Sequence, residues 1–174
     1  MQLVRSDEAG LAAAAETLLA GGVVVIPTDT VYGLAAHPSF PAAVERLYTI
    51  KGREAKKPIA LLASGPEATP VRHELTAKWP GGLTIVYDGE GYRVPDHAWT
   101  RRLLARCGGL LRVTSANPSG RRPATDAPGA LADVGLSADL VVDDGVSAGG
   151  VPSTVVRVAP TGEVEILREG AIAI

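Results

Sequence analysis

The feature that most constrains the fold of this sequence is an apolar run within residues 21–34, GGVVVIPTDTVYGL. Val23–Ile26 is an unbroken series of β-branched residues without polar alternation. Such a run is typical of a strand that is buried on both faces, as parallel strands of layered α/β proteins are. The run therefore predicts an α/β fold with a strand at 23–26.

A polar turn follows this strand directly. Pro27 ends the strand, because proline fixes its own φ and restricts the residue before it. Thr28, Asp29 and Thr30 then offer short polar side chains that can hydrogen-bond nearby backbone or a ligand. Small ligands commonly bind in crevices at strand ends of α/β sheets. Two interpretations stay open at this point: a ligand site, or a turn over 28–34 whose hydroxyls cap local amides.

Length and composition favour one domain over residues 1–174. With 174 residues, 46% of them hydrophobic, the chain can bury one core and is too short for two ordinary domains. The formal charge of −2 argues against binding nucleic acid through the overall field. Cys107 is the single cysteine, so an internal disulfide framework is excluded. Because neither a signal peptide nor a run of eighteen apolar residues is visible, we expect a soluble, cytoplasmic protein without a membrane partner.

Predicted helices and strands alternate along most of the chain. Caps, glycine stops and apolar spacing predict helices at 7–20, 41–52, 66–78, 96–107 and 126–135, with Asp96 as one of the N-caps. Apolar runs predict further strands at 59–63, 83–87, 92–94, from residue 110 to a polar cluster, at 140–142, at 155–158 and finally up to 167–168. Asp88 and Gly89 predict a tight hairpin, so the sheet should mix parallel and antiparallel pairs.

A second strand ends in the same kind of polar cluster. Residues 110–120, LLRVTSANPSG, pass from an apolar run into Thr114, Ser115 and Asn117, and Gly120 closes the turn. Two strands that end in hydroxyl and amide side chains could line one crevice with neutral donors and acceptors.

Residues 51–58, KGREAKKP, hold four cations and one acid. These cations could simply complement the dipole at a helix C-terminus and keep the surface soluble. They could also form an anion site, because Lys51 and Arg53 would add charge to a nearby polar crevice and gather phosphate or carboxylate oxygens.

Several common chemistries have no signature in this sequence. There is no GxxxxGK loop, no GxGxxG and no GxSxG elbow. His37, His73 and His97 are widely spaced and lack a second ligand nearby, which argues against a protein-held metal.

Seven short segments, in this order, resemble the motifs of one known family. They are PTDTVYGL at 27–34, KGR with KP within 51–58, WPGGLT at 79–84, RVPDH at 93–97, TSANPSG at 114–120, STVV at 153–156 and LREGAI at 167–172. On these motifs, which cover almost the whole chain, the sequence is similar to the YrdC/TsaC family, the threonylcarbamoyl-AMP synthases of tRNA modification.

That resemblance implies a fold and a reaction. The implied fold is a single-domain, twisted, mixed α/β sheet with flanking helices around a concave cationic cavity. The implied reaction converts L-threonine, bicarbonate and ATP to L-threonylcarbamoyladenylate and pyrophosphate. Mg²⁺ would accompany ATP without a protein metal motif, and partner proteins would carry the threonylcarbamoyl group to adenosine 37 of tRNA. Such catalysis needs positioning and charge stabilisation more than a covalent nucleophile.

The resemblance also implies site residues, matched motif by motif. The implied threonine-site residues are Thr30, Arg93, Ser115 and Ser153. The implied ATP-site residues are Arg53, Lys57, Asn117, Thr125 and Arg168. The implied catalytic residues are Lys51, Arg53, Ser115 and Asn117. For Thr125 and Arg168, a capping role or a surface cation is an alternative.

The sequence departs from the family pattern at several positions. Leu62 stands where some members carry a substrate-contacting histidine, and Gly82 replaces the usual proline of WPGPLT. Val113 and Glu54 also replace commoner residues. The segments at 58–79 and 87–93 are shorter than usual, so the lid over the cavity and the threonine contacts are open questions. Because the sequence ends at Ile174, without the extra C-terminal domain with which some relatives cover the site, we expect the compact single-domain type.

Two rival functions remain at this stage. The first is a non-catalytic module that binds RNA or tRNA, against which the scarcity of aromatic residues weighs, with one Phe and two Trp. The second is a related carbamoyl-adenylate enzyme that acts on another amine or on carbamoyl phosphate, as in hydrogenase maturation.

Overall fold

In the computed structural model, which describes residues 1–52 and 58–174, the strands form one mixed sheet. The strands are Gln2–Arg5 (β1), Val23–Ile26 (β2), Gly33–Ala36 (β3), Leu61–Ala63 (β4), Leu83–Tyr87 (β5), Glu90–Arg93 (β6), Leu110–Ser115 (β7), Leu140–Asp143 (β8), Thr154–Val158 (β9) and Val164–Arg168 (β10). Their order across the sheet is β1-β8-β2-β3-β7-β4-β6-β5-β9-β10. Parallel pairs such as β5 with β9 stand beside antiparallel pairs such as β5 with β6. The predicted fold class is confirmed.

The helices begin and end close to the positions that the sequence predicts. They are Glu8–Leu19 (α1), Pro41–Lys51 (α2), Ala98–Arg106 (α3) and Ala127–Asp133 (α4). The Asp7 carboxylate accepts the amide of Gly10 at the start of α1, at 2.8 Å. Gly52 ends α2 in the left-handed region, with φ of 60°. Among the helices of the described chain, none is long and apolar enough to span a membrane.

Three local predictions were wrong, and one strand was missed. The turn expected over 28–34 is shorter, because Gly33–Ala36 is buried and pairs on both sides as β3. Strand β1 was not predicted, since it is short and largely exposed at the sheet edge. The helix expected at 66–78 is two short 3₁₀ helices, Pro66–Ala68 and Glu74–Lys78, because Pro70 lacks an amide hydrogen to continue the first. The N-cap of α3 is His97, whose Nδ1 accepts the amide of Thr100, and not Asp96.

Strand β2 separates two apolar clusters, and its residues are completely buried. Val24 and Ile26 pack with residues of α1 and α3, while Val23 and Val25 pack with residues of α2 and α4. Burial on both faces is therefore confirmed, with a parallel neighbour, β8, on one side and an antiparallel neighbour, β3, on the other. Cys107 lies in the first cluster, where burial raises the pKa of its thiol to about 11.

The far half of the sheet has a core on one face and a cavity on the other. Leu83, Ile85 and Val156 pack in a third apolar cluster. Thr84 and Val155, which alternate with them along β5 and β9, line the cavity instead. Because side chains alternate between the two faces of a strand, one face of β5 and β9 packs in the core and the other face lines the cavity.

Tyr32 ties the polar turn after β2 to a neighbouring loop. Its buried hydroxyl donates to the carbonyl of Gly145 at 2.8 Å and accepts the amide of Asp144 at 3.0 Å. Its backbone amide donates to Ala124, and its carbonyl accepts from Ala116. The turn is thus held by bonds that Tyr32 makes with both its side chain and its backbone.

Replacing this hydroxyl tests that anchor. Tyr32→Phe should lower the free energy of unfolding by about 1–2 kcal/mol, because the Asp144 amide and the Gly145 carbonyl lose a buried partner. Urea denaturation followed by circular dichroism measures the change. Tyr87→Phe, at a half-buried position on β5, is the matched control, and an equal loss in both variants would contradict the anchor.

Candidate functional site

Both polar strand ends open into one cavity of about 460 Å³. Thr28 and Thr30 line it from the turn after β2, and Ser115 and Asn117 line it from the turn after β7. The sheet register explains the meeting, because Gly33 pairs with Ile26 of β2 on one side and with Ser115 of β7 on the other. The prediction that two strand ends share a crevice is confirmed.

Lys51 joins the end of α2 to the turn after β7. Its side chain is buried, with the residue 4% exposed, and its Nζ donates to both carbonyls of that turn, Ser115 O at 2.7 Å and Asn117 O at 2.8 Å. Ser115 Oγ at 3.1 Å and Asn117 Oδ1 at 3.3 Å lie within bonding distance as well. The backbone adds a bond from the Ser119 amide to the Lys51 carbonyl, at 2.8 Å. An ammonium thus sits among four oxygens at the wall of the cavity.

Arg93 supplies a second buried cation, on the floor of the cavity. Its side chain is 7% exposed, and its Nε donates to the Gly81 carbonyl at 2.9 Å. Its Nη1 donates to Thr30 Oγ1 at 2.9 Å, and its Nη2 forms an ion pair with the Asp29 carboxylate. Burial lowers the pKa of Arg93, and the charge of Asp29 acts against that shift.

Ser153 links Arg168 to the cavity floor. Arg168 donates from Nη2 to the Ser153 carbonyl at 2.7 Å, and the Ser153 and Thr84 hydroxyls lie 2.8 Å apart. An irregularity in β10 between Ile166 and Arg168 sets Arg168 opposite Val155, whose side of β9 faces the cavity. Partial burial lowers the pKa of Arg168. Arg168 thus lines the cavity although the residue is exposed, and its contact with ATP remains a prediction.

Three predicted site residues are not placed in the cavity. Arg53 and Lys57 lie outside the described residues, so their roles remain predictions. Thr125 is not among the lining residues, and its carbonyl accepts the amide of Ser147 at 2.7 Å. Its contact with ATP also remains a prediction.

Sequence reasoning named Asp29 only as a polar residue of the turn after β2, and it did not single out Thr84 and Arg121 as site residues. Arg121 lines the cavity from the turn after β7, and its guanidinium lies 3.5 Å from the Asp133 carboxylate. The available signal for Asp29 was its place between two threonines of the turn. The partners of Asp29 and Thr84 lie in distant segments, so local sequence could not reveal their bonds.

The departures from the family pattern shape the cavity. Leu62 and Val113 line it and make part of its wall apolar. Gly82 is packed so closely that a Cβ there would lie 2.7 Å from the Ala171 Cβ. The C-terminal segment therefore occupies the space that a proline ring at position 82 would need.

The charge of the described cavity lining is positive. Among the described lining residues are four cations, Lys51, Arg93, Arg121 and Arg168, and no carboxylate. Within the ranges 1–52 and 58–174, no group of three His, Cys, Asp or Glu side chains could hold a metal ion. Guanidinium and ammonium groups suit carboxylate and phosphate oxygens. Fold and site together define an α/β protein with a cavity whose described lining is cationic and neutral.

Comparison with known proteins identifies the family. Residues 16–170 match the family model Sua5_yciO_yrdC, described as "Telomere recombination". A putative threonylcarbamoyl-AMP synthase of Mycobacterium leprae is 33% identical, over 95% of this chain and 84% of that protein. The human threonylcarbamoyl-AMP synthase is 33% identical, over 92% of this chain and 67% of that protein.

The solved structures agree with the sequence matches. Sua5 of P. abyssi, crystallised with L-threonine, superposes with a TM-score of 0.87 at 29% identity, over 97% of this chain. This chain spans 57% of that Sua5 chain. The chain belongs to the Sua5/YciO/YrdC family, so the resemblance inferred from the seven motifs is confirmed.

The bonds of Lys51 lead to a stability prediction. Lys51→Met should lower the free energy of unfolding by about 2 kcal/mol or more, because the carbonyls of Ser115 and Asn117 would lose a buried donor. Urea denaturation measures the difference. The control is Lys78→Met, at an exposed position where Nζ lies 3.5 Å from the Ala173 carbonyl. A Lys51→Met protein as stable as the control would show that the ammonium does not hold the turn.

Proposed function

We propose that this protein is an L-threonylcarbamoyladenylate synthase, which forms threonylcarbamoyl-AMP and pyrophosphate from L-threonine, bicarbonate and ATP. The proposal rests on one observation: groups that suit an amino acid and groups that suit a phosphate line the same cavity. Arg93, Thr30 and Ser153 line one part, and Lys51 with the turn after β7 lines another. The curated relatives in this family that are named threonylcarbamoyl-AMP synthase support the same activity.

The threonine part of the proposal rests on Arg93 and the hydroxyls near it. A free amino acid carries a carboxylate, which a guanidinium binds with charge-assisted hydrogen bonds. Thr30, Ser115 and Ser153 supply hydroxyls that can accept from the ammonium of threonine and can accept from or donate to its hydroxyl. P. abyssi Sua5, which has the same fold, was crystallised with L-threonine.

The chemical step joins a carbamate to AMP. The threonine amine attacks the carbon of bicarbonate, and a C–O bond breaks to release water, which leaves a carbamate. One oxygen of this carbamate attacks the α-phosphorus of ATP. The new P–O bond forms as the bond to the β-phosphate oxygen breaks, and pyrophosphate leaves with the electron pair. Negative charge concentrates on the phosphoryl oxygens in this step, so fixed cations close to them lower the barrier.

The residues proposed for this step are Lys51, Arg53, Ser115 and Asn117. Lys51 holds the turn after β7 in shape and places a positive charge at the cavity wall. Asn117 Nδ2 donates to the carbonyls of Pro118 and Arg121, which fixes the turn from inside. Arg53, Lys57, Thr125 and Arg168 are proposed to contact ATP. Mg²⁺ would arrive as part of the Mg–ATP substrate, because the described lining offers no carboxylate to hold the ion.

We also propose that the product serves tRNA modification. A mixed anhydride of a carbamate and AMP is reactive, so an acceptor protein or complex must take the threonylcarbamoyl group onto adenosine 37 of tRNA. A cytoplasmic location follows from this role, since tRNA and ATP are available there.

The reaction itself should need all three substrates. Incubation with radiolabelled ATP should yield an AMP-linked product and pyrophosphate only when L-threonine and bicarbonate are both present, because the attacking group is made from both. Thin-layer chromatography of the nucleotide products measures this. Equal pyrophosphate release without threonine would contradict the proposal, and tRNA binding without any such release would favour a binding module. A different amine that replaces threonine would favour the related carbamoyl-adenylate enzyme.

The assigned cations should control the rate. Lys51→Ala or Arg53→Ala should lower kcat/KM by about 100-fold or more, since each removes charge that stabilises the transferring phosphoryl group. Initial rates of pyrophosphate release over a range of subsaturating ATP concentrations, with threonine and bicarbonate held constant, provide kcat/KM. Lys78→Ala, which removes an exposed lysine outside the cavity lining, should retain wild-type activity. Full activity in both the Lys51 and the Arg53 variant would refute the roles given to these two residues.

A further inference from the structure

Asp29 is an acid beside a cavity whose described lining contains only cations and neutral groups. Its side chain is 15% exposed, and its carboxylate forms an ion pair with Nη2 of Arg93. Arg93 is itself a buried cation, and a buried charge without a counter-charge is strongly destabilising. Asp29 therefore supplies the charge that lets Arg93 stay buried and protonated.

The acid holds Arg93 without occupying the ligand space. Arg93 and Thr30 line the cavity, whereas Asp29 is not among its lining residues. A guanidinium has five N–H donors. Each of the three guanidinium nitrogens of Arg93 donates one hydrogen bond, to the Gly81 carbonyl, the Thr30 hydroxyl and the Asp29 carboxylate. Each Nη carries two N–H groups, so donors remain on both for a ligand carboxylate. Asp29 fixes the plane of the guanidinium without using up its binding capacity.

The backbone of Asp29 is clamped from a second loop. The amide of Gly149 donates to the Asp29 carbonyl at 3.0 Å, and the amide of Gly150 donates to the Thr30 carbonyl at 2.8 Å. A Cβ at Gly149 would lie 2.7 Å from the Asp29 carbonyl oxygen, so this approach requires glycine. The clamp restricts where the Asp29 carboxylate can lie, and thus where it holds Arg93.

We infer that Asp29 is a positioning residue that orients Arg93 toward the carboxylate of the bound amino acid. The inference rests on the proposed function, because it assumes that Arg93 receives the carboxylate of L-threonine. Asp29 does not touch the substrate in this arrangement. It acts by fixing the guanidinium before the ligand arrives, which saves the cost of ordering that side chain during binding.

Calorimetric titration with two ligands separates this role from a general structural one. L-Threonine carries the carboxylate, and L-threoninol has an alcohol in its place, so their affinity ratio reports the carboxylate contact alone. Asp29→Asn should weaken L-threonine binding by about tenfold, because the guanidinium loses its charged anchor. L-Threoninol binding should stay nearly unchanged, so the ratio should fall. A merely structural role would weaken both ligands together and overturn the inference.

Two further variants complete the experiment. Asp29→Glu keeps the charge and so protects folding, but its extra methylene displaces the guanidinium, and we expect an intermediate ratio. Asp139→Asn is the matched control, because Asp139 pairs with Arg46 on the surface, away from the cavity lining. It should keep the wild-type ratio.

The outcomes distinguish this inference from the function on which it rests. Suppose that the wild-type protein binds L-threonine and that Asp29→Asn and Asp29→Glu bind it equally well, with the same affinity ratio of L-threonine to L-threoninol. That result would overturn the role of Asp29 and leave the proposed function standing. A wild-type protein that binds no L-threonine would contradict the proposed function and the inference with it. A reduced ratio in Asp29→Asn, an intermediate one in Asp29→Glu and an unchanged one in Asp139→Asn support the inference.

Discussion

The interaction on which the site depends most is the burial of the Lys51 ammonium among the oxygens of the turn after β7. Lys51 ends a helix, whereas Ser115 ends a strand and Asn117 follows it, 64 and 66 residues further along the chain. Burying an amine in this way is favourable only when its N–H groups are satisfied, and here two backbone carbonyls and two side-chain oxygens surround it. The same bonds that stabilise this contact bring a positive charge to the wall of the cavity. Stability and the proposed function therefore rest on one set of atoms.

The two buried cations of the cavity have different kinds of described hydrogen-bond partners. The described bonds of Lys51 go to two backbone carbonyls and to the side-chain oxygens of Ser115 and Asn117. Arg93 instead forms an ion pair with an acid, Asp29. A transferring phosphoryl group needs positive charge in the transition state, whereas a substrate carboxylate needs a well-oriented partner. Under the proposed function, Lys51 meets the first need and Arg93 meets the second.

Much of the fold could be predicted from the sequence, because local signals there were strong. Val23–Ile26 has only apolar side chains, so a strand there had to be buried on both faces. The hydroxyl groups near Thr28 and Ser115 indicated which strand ends meet at the cavity. Other features depended on distant partners. Asp29 and Arg93 lie 64 residues apart, and the irregularity in β10 that turns Arg168 into the cavity arises only from its pairing with β9. Strand β1 was missed because its residues are mostly exposed and carry no buried pattern.

The central claim is that one cavity holds an amino acid against a nucleotide. A crystal structure of the protein with L-threonine and a non-hydrolysable ATP analogue tests this most directly. We predict that both ligands bind in the same cavity. The threonine carboxylate should lie within hydrogen-bond distance of the Arg93 guanidinium, and the α-phosphate should lie beside the turn that Lys51 holds. Ligands bound on separate surfaces, or a threonine carboxylate that does not reach Arg93, would contradict it.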